Sequence, residues 1–393
     1  MSNKKHSQNK IDDSKNSSKS NNKTQKEIEA LNFHIQGQPG KVAMHATKPL
    51  NTQRELALAY SPGVAVPCLE IQKNPDSAYD YTAKGNYVAV ISNGTAVLGL
   101  GNLGALAGKP VMEGKSVLFK RFADIDSVDI EVDTENVDEF INAVKYLGPS
   151  WGGINLEDIK APECFIIESK LREIMDIPVF HDDQHGTAIV VLAALKNALK
   201  LVKKELSKVK IVISGAGAAG TAIAKLLTVS GAKNILAFHR EGIAEIMGID
   251  NHGFKGDLRQ ALQGADVFIG VSAGNILSES DLKAMAENSI VFALANPDPE
   301  IDPVIARKFA AVVATGRSDQ PNQINNVLAF PGIFRGLLDA NAHKITDKLL
   351  VAAAEAIAEC VAPSQLNANF IIPSVFDQTV AKQVATAVKN AAK

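Results

Sequence analysis

From Val209 onward the sequence alternates short β-branched runs with helical patterns, and each run ends in glycine, proline or a small polar residue. Few folds accommodate that rhythm, because parallel strands can be joined only through a long crossover, which is usually a helix. The strand candidates are KIVIS (210–214), NILAF (234–238), DVFIGV (266–271), IVFALA (290–295) and AVVATG (311–316). Their unbroken hydrophobicity suits a parallel sheet covered on both faces. Residues 221–230, 258–263, 281–286 and 304–309 read as the crossover helices. No internal repeat is visible.

Directly after the first of these strands comes GAGAAG, running from Gly215 through Ala218 and Ala219 to Gly220. Gly215, Gly217 and Gly220 match G-x-G-x-x-G in the strand-to-helix position where that pattern binds a dinucleotide. The first glycine permits the tight turn, the second lets backbone approach the pyrophosphate, and the third lets helix pack on strand. About 20 residues on, an NAD site places an acidic residue on the ribose. Here the strand ends in His239 and Arg240 instead. A carboxylate would repel a 2'-phosphate and an arginine can hold it, so the pair favours NADP over NAD. The competing reading is an exposed His-Arg turn, with NAD held by other contacts.

The 393 residues, 46% of them hydrophobic, suffice for two cores of ordinary size. A formal net charge of -2 gives no long-range field to recruit nucleic acid or an anionic membrane, and leaves small anionic metabolites as ligands. Cys68, Cys164 and Cys360 are far apart and form no CxxC, which argues against disulfides and zinc and for a reducing cytoplasm. Residues 1–27 begin with a Lys-, Asn- and Ser-rich stretch that reads as a disordered tail without the features of a secretory signal or transit peptide. No apolar run approaches the roughly 18 residues of a membrane span; the longest, near 187–195, is cut by Lys196. A soluble α/β protein is expected: a metal- and substrate-binding α/β domain over 28–185, a Rossmann-like cofactor domain over 186–330, and a helical segment over 331–393 that returns to the first domain.

Two acidic pairs stand beside glycine- and proline-containing turns: Glu157 and Asp158 in GGINLEDIKAPE, and Asp182 and Asp183 in PVFHDDQHGTA. Hard oxygen ligands without a suitably spaced Cys or His favour Mg2+ or Mn2+. His181 and His185 read as hydrogen-bonding or packing residues. Tyr60 precedes Ser-Pro-Gly, a turn signal that places its ring at a loop edge. Lys115, between Gly114 and the strand-like run SVLF, is a candidate buried amine whose pKa burial and a metal would depress, suiting it as a base. Taken alone, each has a plainer reading: Tyr60 as a packing residue, Lys115 as a surface lysine at a strand start.

Together these segments resemble the malic enzyme family, in particular its bacterial forms and the N-terminal catalytic part of longer bacterial enzymes that carry a phosphotransacetylase-like extension. The resemblance covers about residues 28–360 and rests on AYSPGVA, YTAKGN, SNGTAVLGLGNLG, GGINLEDIKAPE, PVFHDDQHGTA, ALANPDPE and PNQINNVLAFPGIFRG. The acyltransferase-like extension is not expected, since the sequence stops at Lys393. By motif, the resemblance implies Tyr60 as general acid, Lys115 as general base, and Glu157, Asp158 and Asp183 as ligands of Mg2+ or Mn2+ with Asp182 in support. It also implies Asn296 and Asn326 at the substrate carboxylates, with Asn325 lining the same site and Asn296 also touching the cofactor. Three departures stand out. Ala96 replaces the carboxylate-binding arginine of animal-type relatives, Asn93 and Asn102 stand where many relatives carry aspartate, and His239 replaces the common acidic residue.

The implied activity is oxidative decarboxylation of (S)-malate to pyruvate and CO2 with reduction of NAD(P)+, together with decarboxylation of oxaloacetate. Malate-to-lactate conversion with retained NAD and a non-catalytic dinucleotide sensor are the alternatives. The resemblance further implies a homodimer or higher homo-oligomer.

Overall fold

The computed structural model describes residues 23–393, so most of the expected tail lies outside the described residues. Residues 23–41 belong to one unit, whose helix α1 (Gln25–Ile35) is closed by a Thr24/Glu27 capping box. Helix therefore begins inside the stretch read as tail, because Thr-x-x-Glu satisfies two N-terminal amides reciprocally.

The second unit, from Val42 on, opens with three short helices, α2 (Gln53–Ala59), α3 (Ala65–Lys73) and α4 (Ala78–Tyr81), none of which buries a residue. Then follow β1 (Tyr87–Ser92), α5 (Ala105–Ala123), β2 (Asp126–Glu131), α6 (Val137–Leu147), β3 (Gly153–Leu156), α7 (Glu163–Ile174), β4 (Val179–His181) and α8 (Asp182–Val202). Their four strands form a parallel sheet in the order β2-β1-β3-β4.

The segment read as βαβ supplies β5 (Lys210–Ser214), α9 (Ala218–Val229), β6 (Asn234–His239), β7 (Gly242–Ile243), α10 (Leu258–Leu262), β8 (Val267–Gly270), α11 (Glu279–Lys283), β9 (Ile290–Ala293), α12 (Pro303–Ala306) and β10 (Val312–Thr315). All five strand candidates are strands, within two residues at either end. They form one sheet, β10-β9-β8-β5-β6-β7, parallel except for the β6–β7 hairpin. The order reverses at β5, between β8 and β6, which is the switch point where such sheets bind ligands.

The C-terminal part is helical: α13 (Phe330–Asp339), α14 (Asp347–Glu359) and α15 (Gln378–Ala391). Helix α14 packs on α8 and α9, while α13 and α15 pack on α5 and on each other, so this segment touches both sheet layers. Glycine makes the α13–α15 contact close: a Cβ on Gly332 would lie 2.7 Å from the Ala381 carbonyl oxygen, and one on Gly336 2.6 Å from that of Ala385.

Two expectations need correction. Lys115 stands in the middle of α5, not at a strand start; the buried positions 105, 108, 112, 115, 116 and 119 recur every three or four residues, the helical period. Helix α8 is long and apolar enough, by length and composition, to cross a membrane, but most of its length is buried in the protein. His185, where the domain boundary is expected, lies in the first turn of α8.

Candidate active site

The site grows from the carboxyl ends of neighbouring strands. Leu156 at the end of β3 pairs with His181 at the end of β4, so the residues that follow, Glu157–Asp158 and Asp182–Asp183, leave the sheet side by side. Two acidic pairs 25 residues apart in sequence thus meet because parallel register leaves them no alternative. One oxygen from each of Glu157, Asp158 and Asp183 lies within 4.8 Å of the others. The Asp158 amide donates to Asp183 Oδ2 at 2.9 Å, which ties the two turns together.

Lys115 reaches this cluster from α5. Its Nζ donates to Asp182 Oδ2 at 2.6 Å and lies 2.8 Å from Glu157 Oε1, over the ring of Phe330 at 4.3 Å. Asn326 Nδ2 donates to the same Asp182 oxygen at 2.5 Å, and Asn155 Nδ2 donates to Glu157 Oε2 at 2.8 Å. Lys115 is 7% exposed and Asp182 0%. Burial alone would lower the lysine pKa, but Asp182 and Glu157 outweigh it and hold the ammonium above its ordinary value. The depressed amine expected from the sequence is therefore absent in this state, because two carboxylates face it.

The carboxylates show the opposite strain. Burial first, and then mutual repulsion, push Glu157, Asp158 and Asp183 up, with Asp158 at about 8, while burial raises Asp182 to about 6 against the pull of Lys115. Asp158 Oδ2 and Asp182 Oδ1 are buried without a hydrogen-bond partner. Four carboxyl groups facing one ammonium are not balanced in a dry pocket, and a small hard dication held by Glu157, Asp158 and Asp183 fits the donor set and the excess charge.

Two parts of this construction left little trace in the sequence. Gly186, one turn beyond Asp182 on α8, is obligatory: a Cβ there would lie 1.9 Å from Asp182 Oδ1. Glu168 of α7, 5% exposed, accepts from the His181 amide at 3.1 Å, Gln184 at 3.3 Å and His185 at 2.9 Å, and so clamps the first turn of α8. His185 is thus a hydrogen-bonding residue. His181 is fully buried with both ring nitrogens unpartnered, and burial drops its pKa to about 4, which keeps it neutral.

The glycine loop opens the other half of the cleft. Gly215 has φ 103°, the left-handed region that favours glycine, and a Cβ on it would meet the Val271 carbonyl at 2.6 Å. A Cβ on Gly220 would fall 1.9 Å from the Gly215 oxygen, whereas Gly217 faces open space at the N-terminus of α9. That is the arrangement of turn, open approach and close packing which a pyrophosphate requires. Glu300 ties the neighbouring rim together, accepting from the Ser272 amide at 3.0 Å and the Ala295 amide at 3.1 Å beneath the loops after β8 and β9.

At the end of β6, His239 and Arg240 are exposed. His239 lines a cavity of about 460 Å3 with Glu241, Lys255 and Asp257; Arg240 is not among its walls. Asn296 lies just after β9, where its carbonyl oxygen would lie 3.0 Å from a Cβ on Gly99, so the glycine-rich loop after β1 abuts it. Asn325 is occupied in capping, its Oδ1 accepting from the Val327 amide at 3.0 Å. Asn93 bonds Thr95 and Thr134, and Asn102 bonds Glu135 and the Gly104 amide. The Ala96 amide donates to the Asp158 carbonyl, so this position serves the site through backbone. Tyr60, the residue just after α2, is 73% exposed and shares no hydrogen bond with the cluster.

The structure thus brings together Lys115, Glu157, Asp158, Asp182, Asp183 and Asn326; it does not bring Tyr60 to them. The chain resembles known proteins over most of its length. The family described as malic enzyme, N-terminal domain, matches residues 39–172, and that described as malic enzyme, NAD binding domain, matches 184–266 and 263–393. The chain is 55% identical over 392 residues to an NADP-dependent malic enzyme of Rhizobium meliloti, covering 93% of this chain and 52% of that protein. It is 51% identical over 368 residues to an NAD-dependent malic enzyme of Geobacillus stearothermophilus, covering 90% and 77%. A crystal structure of a malic enzyme from Pyrococcus horikoshii superposes with a TM-score of 0.89 at 45% identity, over 93% of this chain and 90% of that one. The chain spans about half the length of several curated relatives it matches, the Rhizobium meliloti protein among them.

Proposed function

The chain belongs to the malic enzyme family, and on that premise we propose that it catalyses the metal-dependent oxidative decarboxylation of (S)-malate to pyruvate and CO2 with reduction of NAD(P)+, and that it also decarboxylates oxaloacetate. The observation that carries the reading is the Lys115 ammonium bridging Asp182 and Glu157 at the edge of a three-carboxylate cluster. Glu157, Asp158 and Asp183 would hold Mg2+ or Mn2+. When bound, the metal supplies Lewis-acid polarisation of the oxygen on C2 of the substrate, and the nicotinamide supplies the hydride acceptor.

The chain's own part is to move one proton. Lys115 rests as an ammonium, so it can take the proton of the C2 hydroxyl only after giving up its own. Asp182 Oδ2, at 2.6 Å, is the nearest acceptor, and burial raises its pKa to about 6, which narrows the gap to the lysine without closing it. With Glu157 engaged in holding a metal, Lys115 would keep only one of its two counter-charges, and its pKa would be lower. Asn326 fixes Asp182 and, with Asn296 and Asn325, would receive the substrate carboxylates. For Tyr60 as the acid that protonates C3, the support is the AYSPGVA motif alone.

The dinucleotide would lie on Gly215–Gly220, where the turn and the open face at Gly217 leave room for it. We favour NADP, with His239 and Arg240 at the ribose and Lys255 as a second cation on the cavity wall. A homo-oligomer in the cytoplasm is part of the proposal: α2 and α3 bury nothing although Leu58 and Val66 are more than 60% exposed, a face suited to a second copy.

Reduced cofactor and CO2 are to be followed with malate and Mn2+. Stoichiometric NAD(P)H without lactate, abolished in Lys115→Ala, supports the reading. Lactate as product, or turnover that survives Lys115→Ala, refutes it. A kcat/KM that favours NAD and is indifferent to Arg240→Ala and Lys255→Ala would remove the preference for NADP.

A further inference from the structure

A second cavity of about 510 Å3 lies behind the helices that carry the site, and none of Lys115, Glu157, Asp158, Asp182 or Asp183 lines it. Its walls come from α7, α8, α9 and α14 and from residues 247–249. The volume falls within the range of pockets that enclose a small organic ligand.

Its charged groups are unevenly engaged. Glu168 is taken up by the His181 amide, Gln184 and His185, with Arg172 at 3.8 Å, so it has little left to offer a ligand. Arg172 uses one guanidinium nitrogen on the Ile345 carbonyl. Lys225 lines the cavity from α9 and makes no ion pair or hydrogen bond among the described residues. Asp347 is the other carboxylate in the lining. The lining is formally neutral, Arg172 and Lys225 against Glu168 and Asp347, but with Glu168 occupied the two cations remain as the charged donors open to a ligand. The remaining surface is largely apolar, with Leu226, Ile249 and Leu350 in the walls and Val229 and Met247, both more than half exposed, at the mouth.

We propose that this cavity binds a small organic monoanion with an apolar body, its carboxylate recognised by Lys225 and Arg172 and its hydrocarbon part seated on Leu226, Ile249 and Leu350. Two donors beside the Asp347 carboxylate answer one carboxylate and no second, which selects a monoanion over malate-like dianions. An occupant would touch α8, which begins with Asp182 and Asp183, and α9, which begins at the glycine loop, so it would bear on the spacing of the two halves of the cleft.

The test is calorimetric titration of the full chain with hexanoate, benzoate and 4-phenylbutyrate, with saturating malate and no dinucleotide, so that the cleft is filled and nothing turns over. At least one of the three should bind one per chain at concentrations up to about 10 mM, a weak but measurable affinity. Replacing its carboxylate by the neutral amide, or Lys225 by alanine, should weaken it about tenfold or more, the scale of one charge-assisted hydrogen bond. Val229→Trp, which fills the mouth from an exposed position, should abolish it. Binding by none of the three, or binding indifferent to both Lys225→Ala and Val229→Trp, overturns the proposal. Because the readout is heat of binding without catalysis, neither result depends on the reaction proposed above.

Discussion

Asp182→Asn separates the role of the supporting carboxylate from that of the metal ligands. The side chain keeps its shape, and an amide oxygen can still accept from Lys115 and Asn326, with the amide nitrogen placed where Oδ1 now has no partner. What disappears is the acceptor for the lysine proton. Removal of a group in a general acid–base relay costs about 10²–10⁴ in rate, so kcat should fall by that factor. The affinity for Mn2+ should change by less than about threefold, because Glu157, Asp158 and Asp183 supply the ligand oxygens. Stability should move the other way. In the folded chain Asp182 has its pKa raised from 3.8 to about 6, so the ionised form is disfavoured there and ionisation destabilises the fold above pH 6. A neutral amide removes that penalty, up to about 3 kcal/mol at pH 8. The assays are steady-state kinetics, Mn2+ titration and thermal melts of the same preparation. A kcat within threefold of wild type, or a loss of Mn2+ affinity equal to that of Glu157→Gln, would refute the assignment of Asp182 to the proton rather than the metal.

Three further outcomes follow from the same geometry. Mn2+ should raise the melting temperature of the unliganded chain, since it relieves repulsion among buried carboxylates; about 2.7 kcal/mol is expected at a hundredfold excess over Kd, and Asp158→Asn should erase the shift in a melt series. Gly186→Ala should cost about 1–3 kcal/mol of stability and at least tenfold in kcat, because its Cβ displaces the Asp182 carboxylate from Lys115; unchanged kinetics with unchanged melting would show that α8 bends to accommodate it. His181 binds a proton at 6.5 when unfolded but only at about 4 when folded, so its contribution is unpenalised above pH 6.5 and stability is lost as pH falls from 6.5 towards 4, by up to about 3 kcal/mol. Denaturant titrations of His181→Phe should show a flatter profile across that window, and an equal slope in both proteins would dismiss the histidine as its source.

The Rossmann-like half was legible because its strands are continuous apolar runs broken by glycine, a pattern dominated by one strong local signal. The four carboxylates were legible as pairs, since a motif of two adjacent acids before a helix is compact. Lys115 was placed on the wrong element because SVLF resembles a strand, although the period of buried positions in α5 is helical when Ala105, Gly108 and Met112 are counted with it. Glu168 was not legible at all: in ECFIIESKLREI it is one of several acids, and only the packing of α7 on the start of α8 separates it from those on the surface. Lys255 lay hidden for a similar reason, 16 residues beyond His239 and joined to it only by the return of the chain after β7. The direction of the lysine shift depended on two partners that come from distant segments, 42 and 67 residues away, and no reading of neighbours along the chain could have supplied its sign.

The placement of the two half-sites is set by the core rather than by the loops that line them. The first turn of α8 carries Asp182 and Asp183, the first turn of α9 includes the end of the glycine loop, and these helices pack directly on each other. Alanine is frequent on both: Ala188, Ala193, Ala194 and Ala198 on α8, and Ala222 and Ala224 on α9, are all buried. Interaxial distance depends on side-chain size at the contact, so small residues set a short separation and a short cleft. Reacting atoms must come within about 3–3.5 Å, and a displacement of about 1 Å can cost a hundredfold. The small apolar residues that help give α8 the composition of a membrane helix are, in this fold, core residues of a helix that packs on α9 and on α14 and starts with two of the acidic residues of the cluster.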